Sequence, residues 1–420
     1  MADLVQGINT FLGIFFFVCF GYQLLYLFLG LIRRPKQFQA TKEHSFAVLI
    51  PARNEEGVIG ELIKSIKAQN YPAGKLHIFV CADNCTDRTA DVARSLGATV
   101  YERQNKTLVG KGYTLNYLLS CISDDYSFEN FEGFFVFDAD NVLDKNYVSE
   151  MNKVFDNGYR VITSYRNSKN FASSWISSGY SVWFLRENRF LNNVRMINHT
   201  GCMISGTGFL MSREIVERNG GWKHHLLTED LEFSVDTALA GEKIGYAGNA
   251  VFYDEQPITF ADSWKQRMRW VKGGYQVFSR YGAKLLSSAV KKRDFTYYDI
   301  FMMVSPAMLV TLLGAVVNSV FIVLATLLLE HPMEVIGLCS VAIVLSFLSF
   351  YLLMFCVGAL TVATERKHIH ASAWAKLKAV ATFPVYVFTY APLALVALFR
   401  KVEWKPISHT IVKSAEEFNH

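Results

Sequence analysis

Seven cysteines in 420 residues is an odd number with no paired spacing. A disulfide framework is therefore not expected, and the thiols are read as reduced, in cytosol or membrane. Cys81 and Cys85 have the spacing of half a zinc site, but no second pair follows. His224 and His225 lack a third ligand at a suitable interval. No Gly-x-x-x-x-Gly-Lys-Ser/Thr is present, so P-loop ATP hydrolysis has no support. Neither a Ser/His/Asp ordering nor a nucleophile elbow is found. The formal net charge of +5 is small and dispersed, which argues against a nucleic-acid partner. Internal repeats and low-complexity tracts are absent. A cleavable leader is not expected either, because the basic residues Arg33, Arg34, Lys36 and Lys42 come after the first apolar run instead of preceding it.

What the sequence has in quantity is apolar surface, unevenly spread: hydrophobic residues make up 51% of the chain, with 33 Phe and 20 Tyr. The run Leu4–Ile32 is long enough to cross a bilayer. The positive-inside rule puts the residues from Arg33 onward in the cytoplasm, until the next membrane segment. Further membrane segments are expected at Ile300–Leu329, Val335–Ala363 and Val380–Phe399. Three full crossings would leave Arg400 and Lys401 outside, against that rule, and Pro384 and Pro392 offer an alternative in which the last segment is re-entrant or surface-lying. The expected organisation is a transmembrane anchor (1–32), a cytosolic domain (33–282), an interfacial helix (283–299), a C-terminal membrane region of two to three segments (300–405) and a tail (406–420). Lys284, Lys291, Lys292 and Arg293 among apolar residues suit that interfacial helix. The sequons at Asn84, Asn105 and Asn198 carry no meaning in a cytoplasmic domain.

Between Phe46 and Ser164 short apolar runs alternate with amphipathic ones. Phe46–Ile50 reads as a buried strand stopped by Pro51, Leu76–Val80 as a second, Ala98–Tyr101 as a third and Phe134–Phe137 as a fourth. Helices are expected with Ile59, Leu62, Ile63 and Ile66 on one face, over Thr86–Leu96 and over Lys111–Ser123. A further helical, aromatic-rich stretch covers Trp175–Phe190. Such alternation predicts an α/β domain with a mostly parallel sheet, and ligands beyond the carboxyl ends of its strands.

Polar residues collect at those ends. Asp138 and Asp140 stand two apart after a strand; in extended backbone both would point the same way and could hold Mg²⁺ or Mn²⁺. A solvated turn is the commoner meaning of an isolated Asp-x-Asp. Asp83 could accept hydrogen bonds from a nucleobase or ribose, or cap a helix. Lys111, within Gly110-Lys111-Gly112, could neutralise phosphate or be merely solvated. Glu229 and Asp230 come after the glycine-rich stretch Ser205-Gly206-Thr207-Gly208. A carboxylate there could take a proton from a sugar hydroxyl, or form an acidic first helical turn. In Gln266-Arg267-Met268-Arg269-Trp270 a helix would place Gln266, Arg269 and Trp270 on one face.

Each motif is weak alone, but their order resembles the family 2 inverting glycosyltransferases, above all the membrane-embedded synthases of cellulose, hyaluronan, chitin, poly-N-acetylglucosamine and mixed-linkage glucan. The resemblance covers residues 46–280. It implies a GT-A (Rossmann-like) fold flanked by transmembrane helices, a UDP-sugar donor carrying glucose or N-acetylglucosamine, and a growing β-linked glycan as acceptor. It implies nucleotide-sugar contacts at Ala52, Asn54, Glu55, Asp83, Lys111, Asp138, Gln266 and Arg269, and metal (Mg²⁺ or Mn²⁺) at Asp138 and Asp140. Asp230 would be the general base, with Glu229 beside it and Arg269 at the leaving group. Trp270, Gly206 and Thr207 would meet the acceptor. Transfer of one or a few sugars to a lipid or short glycan is the alternative. The expected location is the plasma membrane, multi-pass, with the catalytic domain cytoplasmic. The chain has fewer membrane segments than the larger synthases, so export of a product would need a path built from few helices or a second subunit.

Overall fold

The computed structural model describes residues 1–403 and 411–418. Part of the tail expected at 406–420 lies outside the described residues. The strands are β1 (Phe46–Ala52), β2 (Leu76–Asp83), β3 (Thr99–Arg103), β4 (Gly133–Val136), β5 (Val142–Leu143), β6 (Val161–Ser168), β7 (Phe209–Ser212) and β8 (Gly245–Asp254). They form one sheet in the order β3-β2-β1-β4-β7-β6-β8-β5. All pairs are parallel except β4–β7, β6–β7 and β5–β8. Only β7 and β5 run against the rest, so the sheet is mixed and mostly parallel, as in a GT-A domain.

Phe46 to Ile50 are fully buried. That is the continuous apolar run a strand needs when helices cover both faces of the sheet. Pro51 does not stop β1, which continues to Ala52 with Pro51 opposite Cys81. β4 ends opposite Leu49, so beyond Ile50 β1 has an open side where a missing N–H is tolerated. Ile59, Leu62, Ile63 and Ile66 line the buried face of the helix Ile59–Lys67. The helix expected from Thr86 begins only at Thr89. Before it, the Asp87 carboxylate accepts from the Thr89 amide (3.0 Å), and the Thr86 amide donates to Asn54 Oδ1 (2.8 Å). Cys81 is buried and Cys85 packs beside Ala52, and all seven cysteines are free.

Among the described residues four helical stretches are long and apolar enough to cross a membrane: Ala2–Phe20, Ala307–Leu328, Met333–Thr364 and Ala373–Phe399. The segment expected at Ile300–Leu329 is broken at Ser305-Pro306, leaving a separate helix Phe295–Val304. The expected interfacial helix at 283–299 is not a separate element. Residues 283–292 instead complete a 33-residue helix, Phe260–Lys292, that begins before Gln266. It ends at Arg293 in left-handed backbone (φ 52°), and Asp294 then caps the next helix by accepting from the Thr296 amide.

The sheet domain is joined to these helices by buried polar contacts. Arg195 grips Asp299 through Nε (2.7 Å) and a second guanidinium nitrogen (2.9 Å), and the Tyr22 and Tyr26 hydroxyls donate to the same carboxylate. Tyr165 donates to Glu365 (2.5 Å), and Asn167 Nδ2 donates to the His368 carbonyl (2.8 Å). At the other end of the last apolar segment, Lys272 and Tyr275 donate to the carbonyls of Ala397 (2.9 Å) and Ala394 (3.0 Å). The chain just before Ala373–Phe399 thus meets the sheet domain, and the segment's far end meets the long helix.

Candidate active site

The carboxyl ends of β1, β2 and β4 open into a cleft of about 650 Å³, where an open parallel sheet binds its ligands. Ala52, Glu55, Asp83, Lys111, Asp138, Asp140, Gly206, Glu229, Asp230, Gln266, Arg269 and Trp270 all line it. Two expected residues do not. Asn54 is a turn residue (φ 57°) whose side chain ties the loop after β1 to Thr86. Thr207 is buried; its hydroxyl accepts from the Asp138 amide (2.8 Å) and donates to Asn141 Oδ1 (2.5 Å). Both shape the cleft from behind.

At the β2 end the buried Asp83 carboxylate accepts from Arg103 at 2.6 Å, and Arg103 also donates to the Leu108 carbonyl at 2.7 Å. The arginine, held at both ends, aims the carboxylate. Asp138 to Asn141 form a β-turn, closed by the Asn141 amide on the Asp138 carbonyl (3.0 Å), not the extended backbone expected for them. Their side chains consequently diverge. Asp138 turns outward, 41% exposed, to an ion pair with Lys111. Asp140 turns inward and accepts from the Glu255 amide at 2.9 Å. Among the described residues no three His, Cys, Asp or Glu side chains form a ready-made metal cluster. One open carboxylate with a second behind it still suits Mg²⁺, which takes few protein ligands and fills its shell from substrate phosphates. Lys111 also donates to the Gly206 carbonyl at 2.7 Å, so the glycine-rich stretch, the lysine and Asp138 are linked.

Glu229 and Asp230 open the helix Glu229–Leu239. Glu232, one turn further on, holds the loop before them. Its carboxylate accepts from the amides of His225 and Leu226 (both 3.1 Å) and from Arg280 and Tyr281 on the long helix. Burial pushes the Glu229 carboxyl up to about 7, with the Asp230 charge adding to the rise; burial likewise raises Asp230, against the pull of Lys111 and Arg269. A carboxylate pair raised toward neutrality is equipped for proton transfer. His224 bonds Asp236 (3.2 Å) and His225 stacks on Tyr113 (4.2 Å), so neither points to a metal.

Gln266, Arg269 and Trp270 share the cleft face of the long helix, as their spacing predicts. Gln266 Oε1 is buried with no partner among the described residues, which leaves an acceptor for a ligand. Trp270 is half-buried and meets Tyr180 edge-on at 5.6 Å. Arg267 faces away. Its fully buried guanidinium donates to Thr389 (2.5 Å) and lies 4.7 Å and 4.9 Å from the ring centres of Tyr386 and Tyr390. Gly273 lies against Thr228 so closely that a Cβ there would stand 2.5 Å from the threonine hydroxyl.

Several cleft residues were not expected. Asp254 ends β8 and is held by Arg166, which donates from Nε at 2.8 Å and also bonds the Ser205 carbonyl at 2.9 Å. Burial pushes Asp254 up to about 6, and the Asp140 charge adds to the rise while Arg166 opposes it. Asp254-Glu255 after an apolar strand is the same signal that marked Asp138, but the strand itself was not foreseen. Arg166 stands 88 residues from its partner and has no local signal. Residues Arg400 to Glu403 also reach the cleft, and beyond them the Ile411 amide donates to Glu255 at 2.9 Å.

A family profile described as glycosyltransferase like family 2 matches residues 44–273. A probable glycosyltransferase of Bacillus subtilis (strain 168) is 27% identical over 290 residues, 64% of this chain and 63% of that protein. The beta-monoglucosyldiacylglycerol synthase of Nostoc sp. (strain PCC 7120) is 25% identical over 275 residues, 62% of this chain and 56% of that one. These matches span less than two thirds of the relatives' own length. Among solved structures, the mannosyltransferase of Pyrobaculum calidifontis, in complex with GDP-Man and Mn²⁺, covers 93% of this chain and 99% of its own at 16% identity and a TM-score of 0.53. That likeness is one of fold.

Proposed function

Because the chain belongs to glycosyltransferase like family 2, we propose that it transfers a glucosyl or N-acetylglucosaminyl unit, with inversion, from a UDP-sugar to the end of a growing β-linked glycan. One observation carries the reading. The raised pair Glu229/Asp230 lies in the same cleft as Lys111 and Asp138 on one side and Arg269 and Trp270 on the other.

Asp83, Ala52 and Glu55 take the uridine end, with Asn54 setting their loop from behind. The acceptor hydroxyl oxygen bonds to the anomeric carbon while the bond from that carbon to the diphosphate oxygen breaks. Asp230 takes the hydroxyl proton, and UDP leaves with the bonding electrons. An α-linked donor so gives a β-linked product. Lys111 and Arg269 meet the negative charge that grows on the diphosphate, which preorganised cations stabilise without reorganisation. Asp138 and Asp140 would hold a divalent ion, Mg²⁺ or Mn²⁺, which supplies further charge neutralisation there when bound. Trp270 offers its ring to the acceptor, with Gly206 lining the same region and Thr207 fixing it.

The domain so described occupies residues 33–282 on the cytoplasmic side of the plasma membrane. The last apolar segment turns back to that side, a reading supported by the contacts at both of its ends. A second acceptor, a membrane lipid, is favoured by the likeness to a beta-monoglucosyldiacylglycerol synthase. Purified protein incubated with a panel of UDP-sugars tests both. UDP release with long products supports the glycan, and a single addition to a lipid supports the second reading. No UDP release from any donor refutes both.

A further inference from the structure

On the flank of the long helix, away from the cleft, a second groove of about 750 Å³ is lined by Lys284, Ser287, Ser288 and Lys291. Those four positions are i, i+3, i+4 and i+7, so they form one stripe along the helix: cation, two hydroxyls, cation. Arg218 and Lys223 close the opposite wall. Lys223 is paired with Asp236 at 2.9 Å and Arg218 with Glu242 at 3.2 Å. Among the described residues no carboxylate pairs with Lys284 or Lys291. Two uncompensated ammonium groups and two hydroxyl donors facing a groove match the oxygens of a phosphate.

The place of the groove narrows the ligand. Phe295, four residues after Lys291, packs on Tyr22 with ring centres 5.3 Å apart. The Tyr298 hydroxyl donates to the carbonyls of Val18 (3.3 Å) and Cys19 (3.2 Å), where the apolar helix Ala2–Phe20 ends. The stripe therefore ends within about a turn of residues that pack on the N-terminal apolar run, at the Gly21 junction between its helices Ala2–Phe20 and Tyr22–Ile32. Beside it on the same helix Leu286 and Val290 are 45% and 71% exposed, an apolar ridge next to cations as a bilayer boundary requires.

We propose that this groove binds the phosphate headgroup of an anionic phospholipid of the adjoining leaflet. Lys284 and Lys291 bracket the phosphate, Ser287 and Ser288 donate to it, and the ridge meets the acyl region. The site is independent of the sugar-transfer reading.

Native mass spectrometry of the full chain in neutral detergent, titrated with phosphatidylglycerol or phosphatidylcholine, tests it. The wild-type protein should retain phosphatidylglycerol in preference to phosphatidylcholine. Lys284→Gln with Lys291→Gln should weaken that retention by about thirtyfold, two lysines at the usual increment for a basic residue at an anionic surface. Ser288→Glu, which sets a carboxylate in the stripe and keeps both lysines, should weaken it too. Removing two exposed lysines elsewhere, Lys106→Gln with Lys145→Gln, should not. Undiminished retention in the stripe variants overturns the proposal, as does equal loss in the control. Displacement of the lipid by millimolar inorganic phosphate also overturns it, since the ligand would then be a soluble anion.

Discussion

Gly273 touches Thr228, and no larger residue fits between the long helix and the loop that leads into Glu229: a Cβ at 273 would lie 2.5 Å from the Thr228 hydroxyl oxygen and 2.9 Å from its amide nitrogen. This contact fixes how far Arg269 and Trp270 stand from the carboxylates. Gly273→Ala should force the two elements apart. Overpacking of this kind costs ~1–3 kcal/mol, and if it falls on the geometry of transfer the rate should drop about tenfold or more while UDP binding persists. Steady-state UDP release and calorimetry measure the two; a wild-type rate in the variant would show that the contact sets nothing.

Asp230→Asn keeps the shape of the site and removes the proposed base. Transfer should fall by about 10²–10⁴, the usual contribution of general base catalysis, with UDP affinity nearly unchanged. Substantial turnover in this variant would remove Asp230 from the role.

The pH profile should carry the mark of the carboxylate pair. Burial raises both groups, Glu229 to about 7. A base works only when ionised, so activity should rise with pH along a limb lying above the ordinary carboxylate range and fade on acidification through it. The charge that acts between the two is that of Asp230 on Glu229, so in Glu229→Gln a limb set by Asp230 should stay where burial puts it. A limb that disappears or shifts in that variant would show that Glu229, and not Asp230, titrates in it.

Asp138 and Asp140 should separate experimentally. Asp138→Ala removes the exposed carboxylate and should weaken Mn²⁺-dependent UDP binding with little effect on unfolding. Asp140→Ala also strands the Glu255 amide, which donates to Asp140 at 2.9 Å. An unpartnered buried donor costs ~1–3 kcal/mol, so this variant should also melt at a lower temperature. Calorimetry with and without Mn²⁺, together with thermal unfolding, distinguishes the two; identical behaviour would count against the inward turn of Asp140.

The boundary between legible and illegible features is a physical one. β1, β2 and β4 are legible because each carries a short apolar run in the covered part of the sheet, and β3, at its edge, through Val100 and Tyr101; the residues just after β1, β2 and β4 are polar because they line the cleft. Helical spacing alone aligned Gln266, Arg269 and Trp270. The sequence left the Asp138 turn open beside an extended reading, since Asp-x-Asp suits both backbones. Nor was the start of the helix at Thr89, which depends on the distant Asn54 taking the Thr86 amide. Arg166 and Asp254 meet only because β6 and β8 are neighbours in the sheet, a pairing no local pattern encodes. That residues 283–292 continue the long helix was not legible, because amphipathic lysines suit a separate surface helix and a continuation equally.

Arg267, Lys272 and Tyr275 secure the long helix through Thr389, Ala397 and Ala394, which come 119 to 125 residues later in the chain. The strands β1 to β4, whose ends open into the cleft, are all complete by Val136. During synthesis the helix bearing Arg269 and Trp270 can therefore meet Thr228 and Glu232 at once, but it gains these three anchors only after more than a hundred further residues have been made. The outer wall of the cleft is thus made fast from the membrane part, after the sheet that forms its floor.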